Sequence, residues 1–234
     1  MNTLVKATSV AIAFSLLIGA AGCSLFTSRV SIDKFRQMME DNNIKEVDPD
    51  DMTDTINEID STEDFKTLKK GIYSEMSGKD LKSFLKSNHV GEGYGVNPGY
   101  DSTMTEGIVY LKGDGSTSES YYSWAGCFKF ETSDDAREYF QDVKDELIDH
   151  LEDAFPDEDF DDNDSDREGG YCLFSFSVGS GSSEGVIYIG MYQSRNCVLI
   201  LNGCDFGGSK AKKDIAEICE VFGIETPTKI KKKK

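Results

Sequence analysis

Across residues 132–151 the apolar side chains Ala136, Phe140, Val143, Leu147 and Leu151 recur three or four positions apart. That spacing puts them on one face of a helix, with Thr132 or Ser133 placed to cap it. Either side of this helix the period changes. Residues 107–112 and 121–131 read as strands, with turn residues Asp114-Gly115 and several serines between them. Residues 171–178 alternate, setting Cys172, Phe174, Phe176 and Val178 on one face. Residues 185–193 and 197–202 flank a short Ser-Arg-Asn turn and predict a hairpin. A last helix follows, with Ser209 as its cap, Ile215, Ile218, Cys219 and Phe222 inward, and Gly223 suited to its C′ position.

The N-terminal half is less regular. Ser31 precedes Ile32, Phe35 and Met39 on one helical face, and Asn42-Asn43 should end that helix. Residues 44–47 fit a short strand. Residues 48–64 hold Asp48, Asp50, Asp51, Asp54, Glu58, Asp60, Glu63 and Asp64, and read as a solvated loop with a weak helical turn. Ser61 and Asp64 have capping-box spacing before Phe65 and Leu68, and Ser77 and Asp80 repeat it before Leu81, Phe84 and Leu85. Residues 91–107 are glycine-rich and predict a long loop. From residue 107 the order is β-β-α-β-β-β-α. It predicts an α+β fold: an antiparallel sheet of about five strands with amphipathic helices packed on one face, a two-layer sandwich. Strands 171–178 and 198–201 are apolar enough to be central. No long βαβ repeats occur, which argues against a Rossmann or periplasmic-binding-protein architecture.

Before residue 23 the pattern changes again. Lys6 is followed by a stretch without charge, residues 7–22, containing Val10, Ile12, Phe14, Leu16, Leu17 and Ile18. It is shorter than the ~20 predominantly apolar residues of a spanning helix. It narrows to Gly19-Ala20-Ala21-Gly22 before Cys23, the layout of a secretory signal. The end of this run resembles the lipobox of bacterial lipoproteins, with Ala20 where leucine is commoner. The resemblance implies cleavage before Cys23, diacylglycerol on its sulfur and palmitate-type acyl chains in the membrane. Two acyl chains anchor stably where one does not. The order of the later elements also looks like that of small lipoproteins of Gram-positive bacteria, over residues 31–48 and 107–224. The expected organisation is a signal helix 1–22, a tether 23–30, a helical and irregular segment 31–106, an α+β core domain 107–225 and a basic tail 226–234.

Composition narrows the partners. The formal net charge of -18 should repel nucleic acid and anionic headgroups. Six cysteines occur, and acylation of Cys23 leaves five: Cys127, Cys172, Cys197, Cys204 and Cys219. Five cannot all pair, and no CxxC supports a redox motif or zinc ribbon. They read as buried small hydrophobes, with a single Cys197–Cys204 or Cys127–Cys172 bridge left open.

The remaining motifs carry little chemistry. Gly181-Ser182-Ser183-Glu184-Gly185 matches G-x-S-x-G, but it joins two strands rather than strand to helix, and both histidines, His89 and His150, precede Ser183. It reads as a hairpin loop. Gly91-Glu92-Gly93-Tyr94-Gly95 lacks the Lys-Ser/Thr of a phosphate loop. Asp157, Asp159, Asp161, Asn163, Ser165 and Glu168 occupy positions 1, 3, 5, 7, 9 and 12 of an EF-hand-type calcium loop. Against that, Asp162 stands where glycine belongs, Asp164 where an apolar residue belongs, and the exit is Gly169-Gly170 and a strand. A solvated acidic loop is the competing reading. Trp124, Tyr121, Tyr122, Tyr188 and Tyr192 would stack on sugars or peptide side chains if exposed on one sheet face, and would be core if turned inward. Lys229 and the run 231–234 form a basic tail that would press on a membrane or anionic wall polymer, fold onto the acidic body, or stay solvated.

The expectation is a lipid-anchored extracytoplasmic protein of the bacterial cell envelope. It would act as a non-enzymatic binding module for an envelope protein or glycan, without catalytic residues, cofactor or nucleic acid. Two alternatives stand beside it. One is an envelope glycan hydrolase using paired carboxylates. The other is a calcium-dependent adhesion or sensing protein built on residues 157–168.

Overall fold

The computed structural model of the protein describes residues 30–57, 68–87, 98–115, 120–154, 161–163, 170–178 and 184–230. In chain order its elements are α1 (Ile32–Asp41), β1 (Lys45–Glu46), α2 (Pro49–Asn57), β2 (Ile72–Ser77), α3 (Gly78–Ser87), β3 (Met104–Asp114), β4 (Ser120–Phe130), α4 (Ser133–Ala154), β5 (Asp161–Asn163), β6 (Tyr171–Val178), β7 (Gly185–Ser194), β8 (Cys197–Phe206) and α5 (Lys210–Phe222). A 3₁₀ turn, Pro227–Lys229, follows. The strands form one sheet in the order β1-β2-β3-β4-β8-β7-β6-β5. Two antiparallel meanders, β2-β3-β4 and β6-β7-β8, join where β4 pairs antiparallel with β8. Only the two-residue β1 runs parallel to its neighbour. It and the three-residue β5 form short edges, which limit edge-to-edge pairing.

From residue 104 onward the expected order β-β-α-β-β-β-α is found with one strand more, β5, after α4, and the fold is mixed α+β. Two features correct the expectation. Among the described residues the sheet has eight strands, because β1 and β2 extend it into residues 45–77 and β5 adds the far edge. Its helices cover both faces, so the architecture has three layers rather than two. α2, α3 and α4 pack on one face with Met76, Val109, Phe128, Phe174, Ile189 and Ile200. α1 and α5 pack on the other with Tyr73, Ile108, Ala125, Cys127, Leu199 and Leu201. The physical reason lies in the central strands. β8 is buried at every position from Cys197 to Asp205, so neither of its faces meets water. Burial on both sides requires a cover on both sides.

The helix ends follow local chemistry. Ser31 caps α1, its side chain accepting from Lys34 N at 3.3 Å. Asn42 and Asn43 end that helix, Asn43 with φ +52°. Of the two cap candidates for α4, Thr132 takes the role reciprocally with Asp135. Asp135 N donates to Thr132 Oγ1 at 3.1 Å, and Thr132 N donates back to Asp135 Oδ2 at 2.9 Å. Gly223 ends α5 at φ +68°.

Residues 1–22, Cys23 and most of the tether lie outside the described residues. So do Ser61–Asp64 as a capping box, the 91–95 glycine run, most of the G-x-S-x-G pentapeptide, and Lys231 to Lys234.

Candidate functional site

The densest polar chemistry among the described residues lies under α5, at the end of the sheet where β3 leads into β4. Gly203 lets the helix in: a Cβ there would stand 2.6 Å from Ile215 Cδ1 and 3.3 Å from Ala211 Cβ. Asp205, two residues along the same strand face, accepts from Ala211 N and Lys212 N, each at 2.9 Å. Its carboxylate thereby satisfies two of the free N–H groups of the first helical turn. Ser209 stands at the cap position without a side-chain cap bond.

Asp214 projects from the buried side of α5. Lys112 Nζ lies 2.5 Å from its Oδ1, and Ser123 Oγ donates to its Oδ2 at 3.4 Å. Burial raises the Asp214 carboxyl above the usual aspartate range, against the opposing pull of Lys112. Asp114 is buried beside Lys69, at 3.2 Å, and Lys210, at 3.9 Å. The Lys210 ammonium also stands 5.5 Å over the Tyr121 ring. Burial, reinforced by Asp214, Asp114 and Asp205, pushes the Tyr121 phenol up to about 12. Tyr110 is raised by burial and Asp214. The phenols therefore stay protonated at neutral pH.

Chemically, this array is charge-compensated. Each of the three buried aspartates is committed, to lysine or to backbone N–H. What the arrangement does is hold α5 on the sheet. A second array does the same for α1. Arg36 donates from Nε to both Glu75 oxygens, at 2.7 and 2.8 Å, and from Nη2 to Glu106 at 2.8 Å. The hydrogen bond that Arg36 donates to Glu75 raises its already high pKa.

The cysteines resolve by strand parity. None of the five described cysteines is in a disulfide, and all are buried. Cys197 faces α1 and α5, whereas Cys204 faces α4. Cys127 and Cys172 are separated in the same way. Both bridges left open by the sequence are thus blocked by the sheet itself. Burial raises the thiol pKa of Cys127, Cys197 and Cys219, and that of Cys204 to about 12.

The aromatic residues form no exposed platform. Tyr122 and Trp124 pack on the α4 side, Tyr188 and Tyr192 on the α5 side, and Tyr121 is buried as well. Trp124 Nε1 and Asn202 Oδ1 are buried with no hydrogen-bond partner among the described residues. They occupy opposed positions on β4 and β8, a donor beside an acceptor.

Of the calcium-loop residues, Asp161 and Asn163 stand in β5, where the backbone pairs with Leu173 and Tyr171. Asp157, Asp159, Ser165 and Glu168 lie outside the described residues. Among the described residues no group of three or more His, Cys, Asp or Glu is arranged to hold a metal ion. No described helix is long and apolar enough to cross a membrane. Lys112, Ser123, Asp205 and Asp214 were not singled out by the sequence. The only hint was polar residues interrupting otherwise apolar strands.

No family model matches the chain, and no curated protein matches it. Among solved structures, it is similar to the extracellular domain of PknH from Mycobacterium tuberculosis. The identity is 15% and the TM-score 0.29, over 52% of this chain and 66% of that one. A TM-score of that size establishes neither a shared fold nor a shared role.

Proposed function

We propose that the chain is a lipid-anchored extracytoplasmic protein of the bacterial cell envelope, acting as a non-enzymatic binding module. The observation that carries this reading is the uncharged apolar run of residues 7–22 ending in Gly22-Cys23. The fold supports it by accounting for the other cysteines. Each is buried in the core, and buried thiols are poor nucleophiles and poor acyl acceptors. Cys23 is left as the cysteine with assignable chemistry.

The charge distribution supports a partner that is not a polyanion. The outward side of α4 exposes Glu138, Asp142, Asp145, Glu146 and Asp149 against Arg137. Such a face repels nucleic acid and acidic polymers and favours neutral or basic ligands. The buried carboxylates are committed to lysines and helix N–H groups, which supports binding rather than acid–base chemistry.

The test is acylation in a bacterial host fed labelled palmitate. The full chain should take up label, and an external protease should reach it on intact spheroplasts. Cys23→Ala should abolish the label. Label retained in the Cys23→Ala chain would refute the assignment.

A further inference from the structure

We infer that Trp124 Nε1 and Asn202 Oδ1 together hold the O–H group of one small neutral molecule, between the sheet and its α2–α3–α4 layer. The inference is independent of the lipid anchor. It rests on two buried polar atoms and on the strands that carry them.

Trp124 on β4 and Asn202 on β8 stand directly opposite each other. Trp124 faces the α2–α3–α4 layer. Asn202 shares that face, because Ile200 and Cys204, two positions to either side, pack there. Both residues are buried, at 3% and 1% exposure. Neither Trp124 Nε1 nor Asn202 Oδ1 has a hydrogen-bond partner among the described residues, so the two do not bond each other. Gly126 makes room for the indole: a Cβ there would stand 2.8 Å from Trp124 Cη2 and 2.7 Å from Phe128 Cζ. Close packing on that side holds the ring, and its N–H, in place. Leu111 and Ile189 flank the pair in the same row of the sheet. In such apolar surroundings an unpaired donor and an unpaired acceptor are each costly.

Directly opposed residues on one face have Cβ atoms about 4.5–5.5 Å apart. An oxygen about 2.9 Å from each of two partners spans up to about 6 Å, so one oxygen can serve both. The partners select its kind. The indole N–H only donates and the amide oxygen only accepts. A carboxylate or phosphate would satisfy the first and be repelled by the second, and an ammonium the reverse. Either would also bring into an apolar layer a charge that two neutral groups do not offset. An O–H group satisfies both at once, its oxygen accepting from Trp124 and its hydrogen donating to Asn202. Ser74 Oγ is also buried with no partner among the described residues. It lies on β2, two strands from Trp124, about 10 Å away on strand spacing, and does not complete the pair. Water and an alcohol bring the same O–H chemistry to the site.

The test uses the full chain. Trp124 is its single tryptophan, so the indole gives one N–H signal in the proton–nitrogen NMR spectrum. That proton should show a nuclear Overhauser cross-peak to water opposite in sign to its rotating-frame counterpart, the mark of a held O–H group rather than of proton exchange. Tyr122 stands two positions along β4 on the same face. Tyr122→Phe should keep the cross-peak, which separates it from relay through the phenol. Asn202→Leu should remove it. Stepwise addition of ethanol then distinguishes the two sources. A saturable shift of the indole signal, with new cross-peaks to the ethanol methylene, supports an alcohol site. An unchanged signal that keeps its water cross-peak supports a held water. Absence of any cross-peak, or one that survives Asn202→Leu, overturns the inference. A crystal structure of the unsubstituted chain decides it without variants. It should show an oxygen about 2.7–3.2 Å from both atoms, and a direct bond between Trp124 Nε1 and Asn202 Oδ1 overturns the inference.

Discussion

Asp205 closes the first turn of α5 from a strand four residues before the nominal cap position. Both carboxylate oxygens accept backbone N–H groups of that turn. Ser209 reads as the cap because serine before an apolar period is the usual signal. The bond is made instead by a residue whose neighbourhood exists only after β8 and α5 have docked. The two therefore differ in their expected cost. Asp205→Ala should destabilise the protein by about 1–2 kcal/mol in urea unfolding, and Ser209→Ala should change it little. The reverse order would contradict the assignment. The cysteines teach a related lesson at this scale. The seven-residue offset between Cys197 and Cys204 is odd, and side chains alternate along a strand, so the two thiols lie on opposite faces.

At the scale of elements, legibility follows the clarity of one period. α4 was readable because five apolar residues fall on one stripe and its cap is local. β3, β4, β6, β7 and β8 were readable because β-branched and aromatic residues cluster between turn signals. β2 was not, for a physical reason: Ser74 is fully buried and Glu75 points to Arg36, so polar residues occupy inward positions. α2 has one fully buried anchor, Met52, too little to mark a stripe. The second helical layer was missed because a two-sided apolar strand shows no alternation to say how many faces are covered. The docking of α5 carries a pH signature. The folded-state pKa of Asp214 is raised above 3.8 by burial. A raised carboxyl contributes stability below its unfolded pKa and loses it as pH rises through the folded value. Relative to wild type, Asp214→Asn should therefore gain in stability as pH climbs from about 4 to 7. Thermal melts across that range check it; a difference that moves the other way contradicts the burial argument.

At the scale of the molecule, the address and the interior array differ in how they are encoded. The proposed signal run and Cys23 form one contiguous stretch, so that reading rests on neighbouring residues alone. The array under α5 is assembled from β3, β4, β8 and α5. Lys112 meets Asp214 across 102 positions of sequence, which no local pattern announces. The folded body is a three-layer sandwich whose core commits its thiols and buried carboxylates to structure. Its acidic α4 face lies on the opposite side of the sheet from the cluster that holds Val30 and Ile230. The proposed lipid anchor on Cys23 is the claim on which the functional reading turns. The measurement that tests it most directly is mass spectrometry of the N-terminal peptide of the protein isolated from bacterial membranes. The account predicts a chain starting at Cys23 with diacylglycerol on its sulfur. A chain still starting at Met1, or an unmodified Cys23 thiol, would contradict it.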